Sequence, residues 1–194
     1  MKARTVGFTL IEILVSVGII SVLAAVLYAN FGTAREDANN KSLQTAVKET
    51  QLALELYKAQ FGQYPPVPSG GGLPGGCVSS SGGVDSSNSR NCLGVAYIDG
   101  LAPDFIAELP DEEDSGNSAC TFLYEVEAAN GTWYKLTGVN CHAGAASASE
   151  GINYNSDFAR CPTSCSSCTS SNLAETDTAF YESYAVYSAG GECQ

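Results

Sequence analysis

The sequence predicts an α+β fold: a long N-terminal helix, membrane-spanning in its first half, whose second half packs on a small antiparallel β-sheet with a Cys-rich loop insertion. Three observations carry this. Residues 8–31 are an almost unbroken apolar run, residues 43–61 place apolar side chains at helical spacing, and residues 121–139 alternate on both sides of an Asn-Gly pair. At 194 residues the chain makes one domain, or one domain and a projecting helix.

In residues 8–31, eighteen of 24 side chains are apolar and Glu12 is the only charge. About 20 apolar residues cross the hydrocarbon core of a bilayer as a helix, so the length fits a membrane segment. Lys2 and Arg4 precede it, and such positive charge stays on the cytoplasmic side. The remainder then lies outside the cytoplasm. A secretory signal peptide has a shorter apolar stretch followed by a small-residue cleavage site, and none follows here. Glu12 needs its own reason, because a carboxylate near the bilayer centre costs about 3 kcal/mol. Cleavage between Gly7 and Phe8 supplies one. The new ammonium of Phe8 lies one helical turn from Glu12, in the same chain or a neighbour, and a carboxylate is favoured near a helix N-terminus.

The helix continues past the apolar run. Leu43, Val47, Thr50, Leu54, Tyr57 and Phe61 recur at intervals of three and four, Ala46 and Ala53 widen the stripe, and Lys48, Gln51, Glu55 and Lys58 face elsewhere. Gly62 and Pro65-Pro66 end it. One helix over 8–61 is about 81 Å long at 1.5 Å per residue. Either it runs uninterrupted, or it unwinds locally at Gly18 or at Asn30-Phe31-Gly32.

Residues 69–89 hold 14 Gly or Ser among 21 and are expected as a surface loop. Residues 97–110, with Leu101-Ala102-Pro103 and closing Leu109-Pro110, are expected as a short helix or turn. Residues 121–128 and 132–139 form a hairpin around Asn130-Gly131, and residues 183–188 add a third strand.

The basic leader, then Gly7-Phe8-Thr9-Leu10-Ile11-Glu12, then the long apolar helix, resembles the type IV pilin and type II secretion pseudopilin superfamily. That resemblance implies a prepilin peptidase that cuts after Gly7 and N-methylates Phe8, and an assembly role for Glu12 toward a neighbouring subunit's amine. Residues 97–136, with Leu109-Pro110-Asp111 before Tyr124 and Tyr134-Lys135-Leu136, are similar to the major pseudopilins. Ala29 stands where many members have proline, and residues 140–180 have no counterpart in the family. The implied organisation is a leader at 1–7, a membrane and filament-core helix at 8–31, its amphipathic continuation at 32–62, and an extracytoplasmic globular domain at 63–194.

All eight cysteines, Cys77, Cys92, Cys120, Cys141, Cys161, Cys165, Cys168 and Cys193, lie beyond residue 76. An even count in a loop-rich region points to disulfides made outside the cytoplasm, and the pairing stays open among 105 possibilities. A Cys77–Cys92 bridge would pin the Gly/Ser-rich loop. Cys161, Cys165 and Cys168 share the spacing of a radical SAM cluster site, but no room remains for that enzyme's barrel. Cys141-His142 with those three thiols could supply four zinc ligands, although an oxidising space works against free thiolates. The tetrad Asp111, Glu112, Glu113 and Asp114 is read as a solvated acidic turn, and calcium is the cation its carboxylates would take. No other cofactor is expected. His142 is the only histidine, so any triad would have to use it, and catalysis is not expected.

The net charge is −12, and loss of the leader leaves seven basic against 21 acidic residues. Such a surface repels phosphate backbones, which excludes nonspecific nucleic-acid binding. The expected partners are copies of the chain and other pilins or pseudopilins, the peptidase, an assembly platform and the inner membrane. The expected location is that membrane as a single-pass protein, then a filament in the periplasm or at the cell surface. Pilus and secretion pseudopilus both remain open, and a monomeric membrane-anchored binding domain is the alternative of a different class.

Overall fold

A computed structural model describes residues 8–67, 84–86, 97–110, 119–127, 129–145, 149–165 and 176–193. The chain divides into two compact units, Met1–Glu36 and Asp37–Gln194, and each is described by itself.

Helix α1 spans Leu10–Phe61 and is helical through Gly18 and residues 30–32, so the uninterrupted reading holds. It starts two residues later than expected because Phe8 and Thr9 stay outside the helix, and Thr9 caps it. In the first unit nothing covers α1: every described side chain from Phe8 to Tyr28 is exposed.

In the second unit the apolar stripe is covered. Leu43, Val47, Thr50, Ala53 and Leu54 are buried, whereas Tyr57 is half-buried and Phe61 is exposed at the helix end. Gly62 closes α1 with φ +80° and donates its N–H to the Lys58 carbonyl at 2.7 Å, a left-handed terminus that glycine takes without a Cβ penalty.

The covering layer is a four-stranded antiparallel sheet in the order β1 (Val84–Ser86), β2 (Thr121–Val126), β3 (Tyr134–Val139), β4 (Tyr184–Tyr187). The β2–β3 hairpin pairs Thr121 with Val139 and Val126 with Tyr134. Its turn is tied by Glu127, whose carboxylate accepts from Thr132 N–H at 3.2 Å and Thr132 Oγ1 at 2.8 Å. Gly131 has φ +57°, and a Cβ there would lie 3.0 Å from the Tyr64 carbonyl, which the chain leaving α1 brings close. Phe122, Tyr124, Val126, Tyr134, Leu136, Tyr184 and Val186 make one core with Leu43, Val47 and Leu54.

Several expectations need correction. Val84–Ser86, expected inside a loop, is an edge strand held by backbone pairing to β2 rather than by a side-chain pattern. The strands are shorter than expected at the turn, which takes Thr132 and Trp133. Residues 97–110, expected as a short helix or turn, take the turn, with a cis Ala102–Pro103 bond, and they bury Tyr97, Ile98, Leu101 and Leu109. A four-residue helix, α2 (Thr178–Tyr181), precedes β4. The described part of the 140–180 segment packs on the sheet. Phe158 accepts from Ala185 N–H at 2.9 Å, engaging the edge of β4, and Cys161 and Phe180 form a second small core with Tyr154 and Cys165.

Candidate functional site: the capped apolar helix

Building the site starts at the first turn of α1. An N-terminal helix turn leaves donors without partners. Here Thr9 N–H and Thr9 Oγ1 both donate to Glu12 Oε2, each at 2.8 Å, and Glu12 N–H donates back to Thr9 Oγ1 at 3.4 Å. This reciprocal pair is a capping box, made by a threonine at the cap and a glutamate three residues on. Glu12 therefore has a partner within its own first turn, where the sequence pointed only to an ammonium made by cleavage. Both Thr9 bonds converge on Oε2, so Oε1 takes no part in the box. Phe8 is 85% exposed beside it, and Gly7 lies outside the described residues.

Two further polar side chains of the apolar segment are likewise satisfied inside the helix. Ser16 Oγ donates to the Glu12 carbonyl and Ser21 Oγ to the Val17 carbonyl, each at 2.7 Å. Both serines thus ask nothing polar of their surroundings, as a hydrocarbon environment requires. By length and composition α1 is the helix among the described residues that could cross a membrane.

In the second unit the cysteines decide a second question. Cys120 is bonded to Cys141 across the open end of the β2–β3 hairpin, and Cys165 to Cys193, which ties the C-terminal segment to the 161–165 loop. Cys161 is also disulfide-bonded. The zinc arrangement of Cys141-His142 with Cys161 and Cys165 is overturned, because a sulfur in a disulfide has no thiolate to offer a metal. Among the described residues no group of three or more His, Cys, Asp or Glu gathers as a metal site. Cys77, Cys92, Cys168 and the tetrad Asp111, Glu112, Glu113 and Asp114 lie outside the described residues.

His142 is packed beside the cap of this hairpin. Burial lowers its pKa, opposed by a hydrogen bond with the Glu150 backbone, and Lys41 of α1 adds to the lowering. Next to it Asn40 clamps α1 to the loop: its Nδ2 donates to the Ala143 carbonyl and its Oδ1 accepts from Ala143 N–H, both at 2.9 Å. Sequence reading missed this clamp, since an asparagine on a helix gives no sign that a loop 103 residues away will meet it.

Residues 7–28 match the model of the prokaryotic N-terminal methylation motif. The chain carries a prepilin-type N-terminus. The chain is also 30% identical over 69 residues to the type II secretion system core protein G of Aeromonas hydrophila, a stretch that covers 36% of this chain and 48% of that protein. It thus spans about half the length of the curated relative it matches. No solved structure matches the chain. The prepilin-type motif takes in the capping box and the exposed apolar helix behind it, and the long helix with its antiparallel sheet and disulfides is a pilin-like α+β arrangement.

Proposed function

We propose that this chain is a structural subunit that is cut between Gly7 and Phe8, N-methylated on Phe8 and polymerised into a helical filament through α1. One observation carries the reading: within the methylation motif the helix is apolar and exposed on every side, with Leu10 85%, Leu14 69% and Leu27 72% exposed. A lone molecule in water does not tolerate such a surface. A bilayer covers it before assembly, at about 25 cal/mol per Å² removed from water, and a bundle of identical helices covers it afterwards. Stacking that does not close on itself gives a filament rather than a ring. Similarity to a type II secretion core protein favours a short secretion pseudopilus over a long surface pilus. The role is structural, with the inner membrane, a prepilin peptidase, an assembly platform and other pilins or pseudopilins as partners.

Mass spectrometry of the native N-terminus tests the processing step. The expected species begins at N-methylated Phe8, and a chain that still begins at Met1 contradicts the proposal. Glu12→Val tests assembly, with filaments lost while membrane insertion and the fold of the second unit persist.

A second reading has an observation of its own. Because Thr9 already satisfies Glu12, a monomeric membrane-anchored binding domain can hold this carboxylate without a neighbour. Surface-sheared fractions viewed by electron microscopy separate the two. Fibres containing this chain support the subunit, and a chain found only as detergent-solubilised monomer supports the anchored domain.

A further inference from the structure

His142 lies in the loop that leaves β3, and nothing in the proposed filament role uses it. The loop is pinned from three sides. Cys141 is bonded to Cys120, His142 N–H donates to the Glu182 carbonyl at 2.8 Å, and the Asn40 side chain holds the Ala143 main chain by two bonds of 2.9 Å. Asn40 is 4% exposed in this closed arrangement.

The imidazole itself is unevenly served. It is hydrogen-bonded to the Glu150 backbone, whereas Nδ1 is buried and has no hydrogen-bond partner. A neutral imidazole has one donor nitrogen and one acceptor nitrogen. The Glu150 bond takes the donor, so an unused Nδ1 leaves only a bare acceptor. Protonation makes Nδ1 a second donor on a charged ring, and a buried charged donor without an acceptor is much more costly. The surroundings hold the pKa down. Burial and then Lys41 oppose the charge, while the Glu150 bond and Asp37 favour it. Lys41 and Asp37 are exposed on α1, where salt and water screen both. Glu150 and Glu182 meet His142 through their main chains.

We infer that His142 is an acid-sensitive latch, whose protonation frees the 142–145 loop from α1 and breaks both Asn40–Ala143 bonds. The opening is local. The Cys120–Cys141 disulfide stops it at residue 141, and Leu43, Val47 and Leu54 keep their core. Its direction follows from the ring. A released histidine titrates near pH 6.5 and the closed one below that, so the open form binds the proton first. The latch is closed above about pH 7 and is lost progressively below about 6.5. Acid then bares Asn40 three residues into the second unit.

The test follows the full chain in micelles by NMR between about pH 8 and pH 4.5. The His142 ring is expected to titrate below 6.5. Over the same range the protection factor of the Ala143 amide falls at least about tenfold, while β3 amides keep theirs. In His142→Gln the Ala143 protection no longer depends on pH. A His142 that titrates at or above 6.5 overturns the latch, as does an equal loss of protection in the glutamine variant. If that variant is open at every pH, the native chain decides. Protection loss must then share its midpoint with the His142 titration, and separate midpoints overturn the inference.

Discussion

Two stretches of one helix treat the same residue types in opposite ways. Leu14 is 69% and Val17 57% exposed, whereas Leu54 and Val47 are fully buried. All four belong to α1, and helix propensity does not separate them. What differs is the source of the cover. Leu43, Val47 and Leu54 find theirs within the chain, because the sheet of the second unit supplies Phe122, Tyr124 and Leu136 to the same core. Residues 10–28 are left exposed, and under the proposed function lipid or another copy covers them. Apolar content thus fixes that a surface must be covered, and the rest of the fold decides by what.

The comparison breaks or holds most visibly on truncation of one leucine from each stretch. Leu54→Ala removes a fully buried side chain and is expected to cost the second unit about 2–5 kcal/mol. The check is thermal melting of the detergent-solubilised chain by near-UV circular dichroism. Leu14→Ala leaves that melt unchanged and appears only in filament yield. Equal loss of melting temperature in both variants would mean that the two stretches do not divide as described.

A smaller effect sharpens the picture of the covered region. Lys135 lies in β3, 2% exposed, and burial pulls its pKa down to about 8, opposed by Glu125 and reinforced by Arg160. Below about pH 8 the lysine is charged in both states, and the cost of its buried charge is fully present. Between about pH 8 and the unfolded lysine value of about 10.4, the folded state gives up a proton that the unfolded state keeps, so stability rises with pH. Tyrosines act in the opposite sense further up. Burial pushes Tyr64 up to about 12 and raises Tyr124 and Tyr134 as well, so the unfolded chain ionises first above about pH 10 and stability falls. The melting temperature should climb from pH 7.5 to about 9.5 and decline beyond about 10. Lys135→Met should flatten the climb and leave the decline. A climb of equal size in that variant would place the titrating group elsewhere.

Lys135 also shows where the sequence was legible and where it was not. The apolar run, the 43–54 stripe and the Asn130-Gly131 hairpin were readable because each is a local pattern whose period is set by the element itself. The third expected strand was readable for the same reason. In Tyr134-Lys135-Leu136 the same alternation assigns the lysine to solvent. It is buried because the second face of β3 is covered as well: Lys135 and Thr137 are both buried there, and Arg160 of the 140–180 segment acts on the lysine's charge. That segment has no periodicity to announce its position. The edge strand Val84–Ser86 is held by main-chain pairing and gives no side-chain signal either. At the N-terminus the order of difficulty reverses. Threonine and glutamate three residues apart before an apolar run are a legible capping box, yet Glu12 drew attention as an isolated charge and its bond to Thr9 went unread.

That bond sets the smallest of the expected effects and bears on the exposed region alone. Thr9→Val removes the hydroxyl that donates to Glu12 Oε2 and accepts from Glu12 N–H, while Thr9→Ser keeps both bonds. In micelles, amide exchange at Glu12, whose N–H the Thr9 hydroxyl accepts, should quicken severalfold in the valine variant and return to the native rate with serine, and the melt of the second unit should not move. The comparison becomes sharper if this holds, because Glu12 then has its hydrogen bonds from its own turn, and what this stretch lacks is apolar cover. If the valine variant exchanges at the native rate, the capping box does not hold Glu12 in an apolar medium. The carboxylate would then depend on a cation from outside its own turn, and the ammonium made at Phe8 by cleavage is the nearest one the chain can provide.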